Sequence, residues 1–173
     1  LHNVQGVLNN VLYWSSMQVK GIKPHYAEVY LKMTIDQLLK EFEHQLEEKQ
    51  LTALNTVEID AKIWTDETYL KIILRNIISN AIKFTNSEGF IRIDYKVNNS
   101  KVVLTIKDTG IGMAADKLAN LFQYPVSTLG TQLEIGTGLG LSLCYEMVKQ
   151  LNGQLSVRSQ EGKGTNVVIE LPV

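Results

Sequence analysis

The 173-residue chain predicts an α+β two-layer sandwich, a mixed sheet of about five strands with helices on one face, preceded by a bundle-type helix. Three features lead there. Stretches with helical periodicity are separated by stretches that alternate apolar and polar residues, the pattern of half-buried strands. Four strand-like stretches fall into two pairs joined by the turns Asn98-Asn99-Ser100 and Glu161-Gly162-Lys163-Gly164, so they form hairpins. The length suits one domain, and 45% hydrophobic with 20% charged residues is ordinary for a protein with a core and a wetted surface.

Leu1, Val4, Leu8 and Val11 follow the 3-4-3 spacing of a heptad seam. That helix is expected to reach Gln18 and stop before Gly21 and Pro24. It is too short to hold alone, which favours the remnant of a helical bundle over an edge helix. Residues 29–49 have helical spacing, with Leu31, Ile35, Leu38, Leu39, Phe42 and Leu46 on one side. Residues 51–57 and 62–65 fit short strands. Thr65-Asp66 then starts a helix that continues through Phe84, with Leu70, Ile73, Leu74, Ile77, Ile78 and Ala81 facing the core. Residues 90–97 place Ile91, Ile93, Tyr95 and Val97 on one face, and residues 101–107 return beside them. Residues 108–139 are loop-rich, with a short helix near 114–121. Residues 141–151 are helical and end at Asn152-Gly153. Residues 154–159 and 166–171 form the second hairpin.

A net charge of −1 gives no general attraction to nucleic acid or an anionic membrane surface. The three histidines are scattered, which argues against a zinc site. Cys144 is alone, so the chain has no disulfide framework, a reducing compartment fits, and the thiol is expected to be a small buried apolar group. The most apolar stretch, residues 70–82, is broken by Lys71, Arg75, Asn76 and Asn80, short of the ~18 apolar residues of a bilayer span. The chain opens on Leu1 without a signal-peptide pattern. It is expected to be a cytoplasmic piece of a longer protein, with any membrane anchor outside it.

The glycine run GTGLGL, residues 136–141, asks for a close backbone approach. A dinucleotide loop needs G-x-G-x-x-G after a strand, but here the third glycine comes one place early and residues 131–135 make a poor buried strand. A P-loop needs Gly-Lys-Ser/Thr, but Gly162-Lys163 is followed by Gly164 in a hairpin turn. Two other segments carry chemistry. In LRNIISNAIKFT, residues 74–85, Asn76, Asn80 and Lys83 share one narrow helical stripe. Asparagine competes for backbone hydrogen bonds inside helices, so this is either a solvated face or amide oxygens and a cation presented to a ligand. In DTGIGM, residues 108–113, an acid at a strand end is followed by a G-x-G turn, which serves either as a plain turn or as an acceptor for a ligand amine.

In order, N-x-x-x-N-A-x-K, D-x-G-x-G and G-x-G-L-G-L resemble the N, G1 and G2 boxes of the GHKL ATPases, the Bergerat fold. LFQYPVST, residues 121–128, resembles the intervening F box. NAIKFT and EGKGTNVVIELP are similar to the catalytic, ATP-binding domain of sensor histidine kinases, and VLNNVLYWSSMQ, residues 7–18, resembles the end of that family's second dimerisation helix. The resemblance covers nearly the whole chain. It implies residues 1–22 as the C-terminal part of the dimerisation and phosphotransfer helix plus linker, and residues 23–173 as the catalytic domain.

The resemblance also implies roles. Asp108 would accept a hydrogen bond from the adenine amine, with Gly110 and Gly112 letting the backbone approach and Met113 closing that box. Phe84 would cover the base or remain an ordinary core aromatic. Asn80 would hold Mg²⁺ through its amide oxygen, Asn76 would position phosphate or a metal-bound water, and Lys83 would neutralise phosphate charge. Gly136, Thr137, Gly138, Leu139, Gly140 and Leu141 would bring backbone N–H groups to the phosphates at a helix start, with Ser127 and Thr128 in the lid. The implied activity is histidine protein kinase: the γ-phosphoryl group of Mg·ATP passes to a histidine outside this chain, so the isolated piece should barely autophosphorylate. The implied partners are ATP, the protein's own phosphoacceptor helix bundle, a response regulator receiver domain and, in the whole protein, a second copy; the piece alone can be monomeric, and nucleic acid is not among them.

Two departures stand out. No Lys or Arg occurs from Phe122 to Leu141, where many members place a basic lid residue, so the hydroxyls of Ser127, Thr128 and Thr131 are left to complete the phosphate grip. The acceptor histidine is missing as well: Asn3 follows His2 where an acid is usual, and His25 and His44 are expected on the surface. A degenerate nucleotide-binding scaffold without turnover is the alternative. Another GHKL class, such as a topoisomerase or chaperone ATPase, fits the N-terminal helix and Lys83-Phe84-Thr85 less well.

Overall fold

The computed structural model describes residues 23–98, 100–122, 129–132, 134 and 138–173. The expected heptad helix therefore lies outside the described residues, as do Ser127, Thr128, Gly136 and Thr137. The first element is a strand, β1 (Tyr26–Tyr30), followed by helices α1 (Leu31–Glu41) and α2 (Glu43–Glu48). Strands β2 (Thr52–Asn55) and β3 (Lys62–Asp66) lead into the long helix α3 (Glu67–Phe84). The hairpin β4 (Phe90–Asn98) and β5 (Lys101–Asp108) follows, then the short α4 (Ala115–Ala119), α5 (Gly140–Gln150), and the hairpin β6 (Gln154–Gln160) and β7 (Gly164–Pro172).

Five strands form one sheet in the order β2-β4-β5-β7-β6, mixed because β2 runs parallel to β4 while the other pairs are antiparallel. This is the predicted class. The alternation argument holds for β5, where Val102, Leu104 and Ile106 are buried and Val103 and Thr105 are half-buried. In β4 it holds at Ile91 and Ile93 but fades toward the turn, where Val97 is 59% exposed. The core face meets α3 and α5. From α3 come Leu70, Ile73, Leu74, Ile77, Ile78 and Ala81, the side expected from the spacing; α5 adds Leu143, Cys144, Met147 and Val148. A fully buried Ile or Leu stabilises by about 2 kcal/mol relative to exposure, so this face dominates the fold's stability. Burial pushes the Cys144 thiol up to about 12, which makes it the inert core residue expected.

Two expectations need correction. Residues 29 and 30 belong to β1, which pairs antiparallel with β3 in a separate two-stranded sheet, Val29 opposite Ile63. The helix begins only at Leu31, whose N–H bonds the Ala61 carbonyl at 3.0 Å. The pattern was misleading because Val29 is buried like the helical residues after it. The helix also breaks at Phe42, giving two pieces instead of one. By contrast Asp66 caps α3 as expected: its Oδ1 accepts from the Tyr69 N–H at 2.9 Å and its Oδ2 from the His25 N–H at 2.7 Å. His44 is a surface residue 3.9 Å from Glu48, and the side chain of His25 is exposed.

Candidate functional site

Three segments far apart in sequence meet along the C-terminal half of α3. Gly140, at the start of α5, lies against Asn76: a Cβ there would stand 2.8 Å from Asn76 Oδ1. Thr131 N–H bonds the Lys83 carbonyl at 3.0 Å. Ile111 N–H bonds the Phe84 carbonyl at 2.9 Å, and a Cβ on Gly110 would overlap that same carbonyl. From Asn76 to Phe84 a helix rises by about 12 Å, so the contacts mark out one elongated site.

Its first end is built around Asp108, the last residue of β5, which is 6% exposed. Its Oδ1 accepts from the N–H groups of Gly110 at 2.8 Å and Thr165 at 3.1 Å, which fixes the carboxylate plane. Burial pushes this carboxyl above its ordinary pKa, partly opposed by those two N–H groups. The turn beyond it is closed by backbone contact: Gly112 has φ +65°, and a Cβ on it would overlap the Gln160 carbonyl. Gly162 N–H reaches back to the Ile111 carbonyl at 2.7 Å. Met113 is half-buried at the end of this turn.

Phe84 sits beside it, half-buried, with the Lys83 ammonium 4.7 Å and the Lys117 ammonium 5.8 Å from its ring centre. Burial lowers the Lys83 ammonium from its ordinary pKa; Glu134 opposes that shift, and Lys117 and Lys49 reinforce it. A bound polyanion would relieve this crowding of positive charge. At the other end, Asn76 Nδ2 donates to the Ile72 carbonyl at 2.9 Å, which turns its Oδ1 toward Gly140. Asn80 is one turn further along α3 and half-buried. Gly138 turns through φ +72°, Leu139 precedes the first helical residue, Gly140, and Leu141 follows half-buried. Phe122, in the segment likened to the F box, stacks on Tyr145 of α5 with ring centres 4.8 Å apart.

Thr131 does something other than expected. Its hydroxyl lies 3.2 Å from the Lys83 carbonyl and 3.1 Å from the Thr85 carbonyl, and it accepts from Lys49 Nζ at 2.7 Å. It is an anchor for the loop, not a hydroxyl offered to phosphate. Lys49, Lys117 and Thr165 were invisible as site residues in the sequence. Lys49 stands in a polar run that looks solvated, and Thr165 contributes only a backbone N–H.

Comparison with known proteins decides the family. The model of the "Histidine kinase-, DNA gyrase B-, and HSP90-like ATPase" family matches residues 65–173, from the end of β3 to the chain's end. The chain belongs to this family. Within it, the similarity points to sensor kinases. The autoinducer 2 sensor kinase/phosphatase LuxQ of Vibrio parahaemolyticus is 40% identical over 132 residues, covering 72% of this chain and 15% of LuxQ. Sensor protein SrrB of Staphylococcus aureus is 30% identical over 169 residues, covering 96% of this chain and 29% of SrrB. The catalytic domain of histidine kinase ThkA superposes with a TM-score of 0.73 at 27% identity, covering 86% of this chain and 95% of that one. Full-length ShkA in complex with AMPPNP gives 0.82 at 25% identity, covering 98% and 35%. This chain is an ATP-binding catalytic domain of the sensor histidine kinase type. Among the described residues no helix is long and apolar enough to cross a membrane.

Proposed function

We propose that the chain binds Mg·ATP along α3 and passes the γ-phosphoryl group to a histidine in another part of the whole protein. The convergence of Gly140, Thr131 and Gly110 on the Asn76–Phe84 half of one helix carries this reading. Both backbone bonds to Asp108 use Oδ1, so Oδ2 serves the adenine amine, which selects adenine over guanine, whose carbonyl cannot donate. Phe84 covers the base. Lys83 carries its charge to the phosphates, and the N–H groups before and at the start of α5 face them from the other side.

The donor set suits Mg²⁺. Among the described residues no cluster of three His, Cys, Asp or Glu side chains could cage a metal. Asn76 and Asn80 instead offer neutral amide oxygens, and a hard cation completed by water and phosphate oxygens needs little more. Asn80 would hold the ion and Asn76 would position phosphate or a metal-bound water; the ion would neutralise phosphate charge. What remains for the protein is positioning, which these contacts provide.

We further assign residues 1–22 to the end of the dimerisation and phosphotransfer helix with its linker, and residues 23–173 to the catalytic domain, in a cytoplasmic part of a dimeric sensor kinase that serves a response regulator. Ser127, Thr128, Gly136 and Thr137 are assigned to nucleotide binding from the sequence. A longer protein that includes the acceptor helix tests the reading. With labelled ATP it acquires acid-labile, base-stable phosphate, and Asn80→Ala abolishes this. A protein with its acceptor histidine present that stays unlabelled contradicts it.

A further inference from the structure

Residues 122–141 contain no Lys or Arg, yet the base of this segment is gripped by a cation from elsewhere. Lys49, the residue that ends α2, is 3% exposed. Its ammonium meets four oxygens: the carbonyls of Ile82 at 2.9 Å and Lys83 at 3.0 Å, Thr131 Oγ1 at 2.7 Å, and Glu134 Oε1 at 2.7 Å. The two carbonyls belong to the last turn of α3, where a helix leaves acceptors unpaired and its dipole favours a cation. The other two contacts belong to the segment that follows the F-box-like stretch. Glu134 folds this segment on itself, since its Oε2 accepts from the Gln132 N–H at 2.7 Å and its carbonyl from the Gly130 N–H at 2.9 Å. A Cβ on Gly130 would overlap both Glu134 and Lys83, so the turn is seated directly on α3 beside the proposed phosphate-binding lysine.

We propose that Lys49 and Glu134 form a latch: they fix the turn of Gly130, Thr131 and Glu134 against the end of α3, beside the proposed phosphate-binding Lys83. Lys49 is a positioning residue in this scheme, and the latch rests on the nucleotide-binding reading above. The arrangement replaces a basic residue within the lid by one supplied from the C-cap of α2. It also neutralises Glu134, an acid that would otherwise face an incoming polyanion.

Two explanations of the pair make opposite predictions. If Lys49 served only to cancel the charge of Glu134, Glu134→Gln would leave ATP affinity unchanged or tighten it. A latch predicts that the same substitution weakens ATP, because the loop loses its anchor. The test is an NMR titration of the 173-residue chain with Mg·ATP and, separately, with adenosine. For Glu134→Gln we expect ATP affinity to fall about fivefold, the scale of one partly buried ion pair acting on a lid population, with adenosine affinity unchanged. Lys49→Met should show the same split more strongly, and Lys49→Arg should recover part of it. Because Lys49 is buried and its removal also loosens the fold, the half-exposed Glu134 decides the matter. ATP affinity at or above the native level in Glu134→Gln overturns the latch, and so does an equal loss for both ligands. A native chain that binds neither ligand overturns the nucleotide-binding reading itself, and the latch with it.

Discussion

Two loops seated side by side on the last turn of α3 are held by different means. At the Asp108 end the shape is set by backbone: Gly110 against the Phe84 carbonyl, Gly112 against the Gln160 carbonyl, and N–H groups of Gly110 and Thr165 on one carboxylate oxygen. In the loop beside it the shape is set by side chains: Lys49, Glu134 and Thr131 tie residues 130, 131 and 134 to the same turn of α3. Backbone contacts tolerate almost no change in a side chain, while a side-chain tie can loosen without disturbing the sheet. The difference suits the proposed nucleotide site, with the base selected where backbone sets the shape.

Substitutions can break this contrast. The largest effect should come from Gly112→Ala, which combines a left-handed backbone conformation with overlap on the Gln160 carbonyl. We expect a loss of about 3 kcal/mol, read as a fall of about 10 °C in melting temperature. Asp108→Asn should come next. It presents an N–H to the adenine amine in place of an acceptor, and ATP and adenosine affinity should both fall, on the order of 100-fold, in calorimetry. Asn80→Ala should act at the other end alone: ATP affinity falls by about tenfold and its dependence on Mg²⁺ disappears, while adenosine binds as before.

The smallest effect is in the response to acid, where the two carboxylates move in opposite directions. Burial raises Asp108, so its protonated form is favoured in the folded chain, and folded stability rises as pH falls through that raised value toward the ordinary 3.8. Adenosine affinity should fall over the same range as the carboxylate is lost. For Glu134, burial alone would raise the pKa, but the Lys49 ammonium and the N–H groups on it prevail and hold it below the ordinary 4.5. Its stabilisation is complete above 4.5 and is lost only as pH falls through the lower folded value. Acid titration of adenosine binding, set beside the stability difference between native and Glu134→Gln chains, should show the base pocket fading first.

The same contrast explains what could be read in advance. The core side of α3, the Asp66 cap, both hairpins and the Asn76, Asn80 and Lys83 stripe follow from periodicity and turn chemistry, which are local. Asp108, Gly110 and Gly112 stand out as a strand-end acid with a G-x-G turn, a pattern that fits a plain turn as well, so their proposed role comes from the family resemblance. Lys49 was not visible, because its partners, from Ile82 to Glu134, lie far along the chain and nothing in its own neighbourhood distinguishes it from a solvated lysine. Strand β1 was missed because Val29 and Tyr30 run without a break into the helical residues after them, and only the pairing with β3 separates the two. Thr131 was assigned to phosphate on its residue type, whereas the carbonyls it serves were set by the fold.

The central claim is that Asp108 and the residues packed on α3 make an adenine-selective ATP site. A low-salt calorimetric titration of the 173-residue chain with Mg·ATP and with Mg·GTP tests it most directly. The account predicts saturable binding of ATP below millimolar concentration and far weaker binding of GTP. No binding at millimolar ATP, or equal affinity for the two nucleotides, would contradict it.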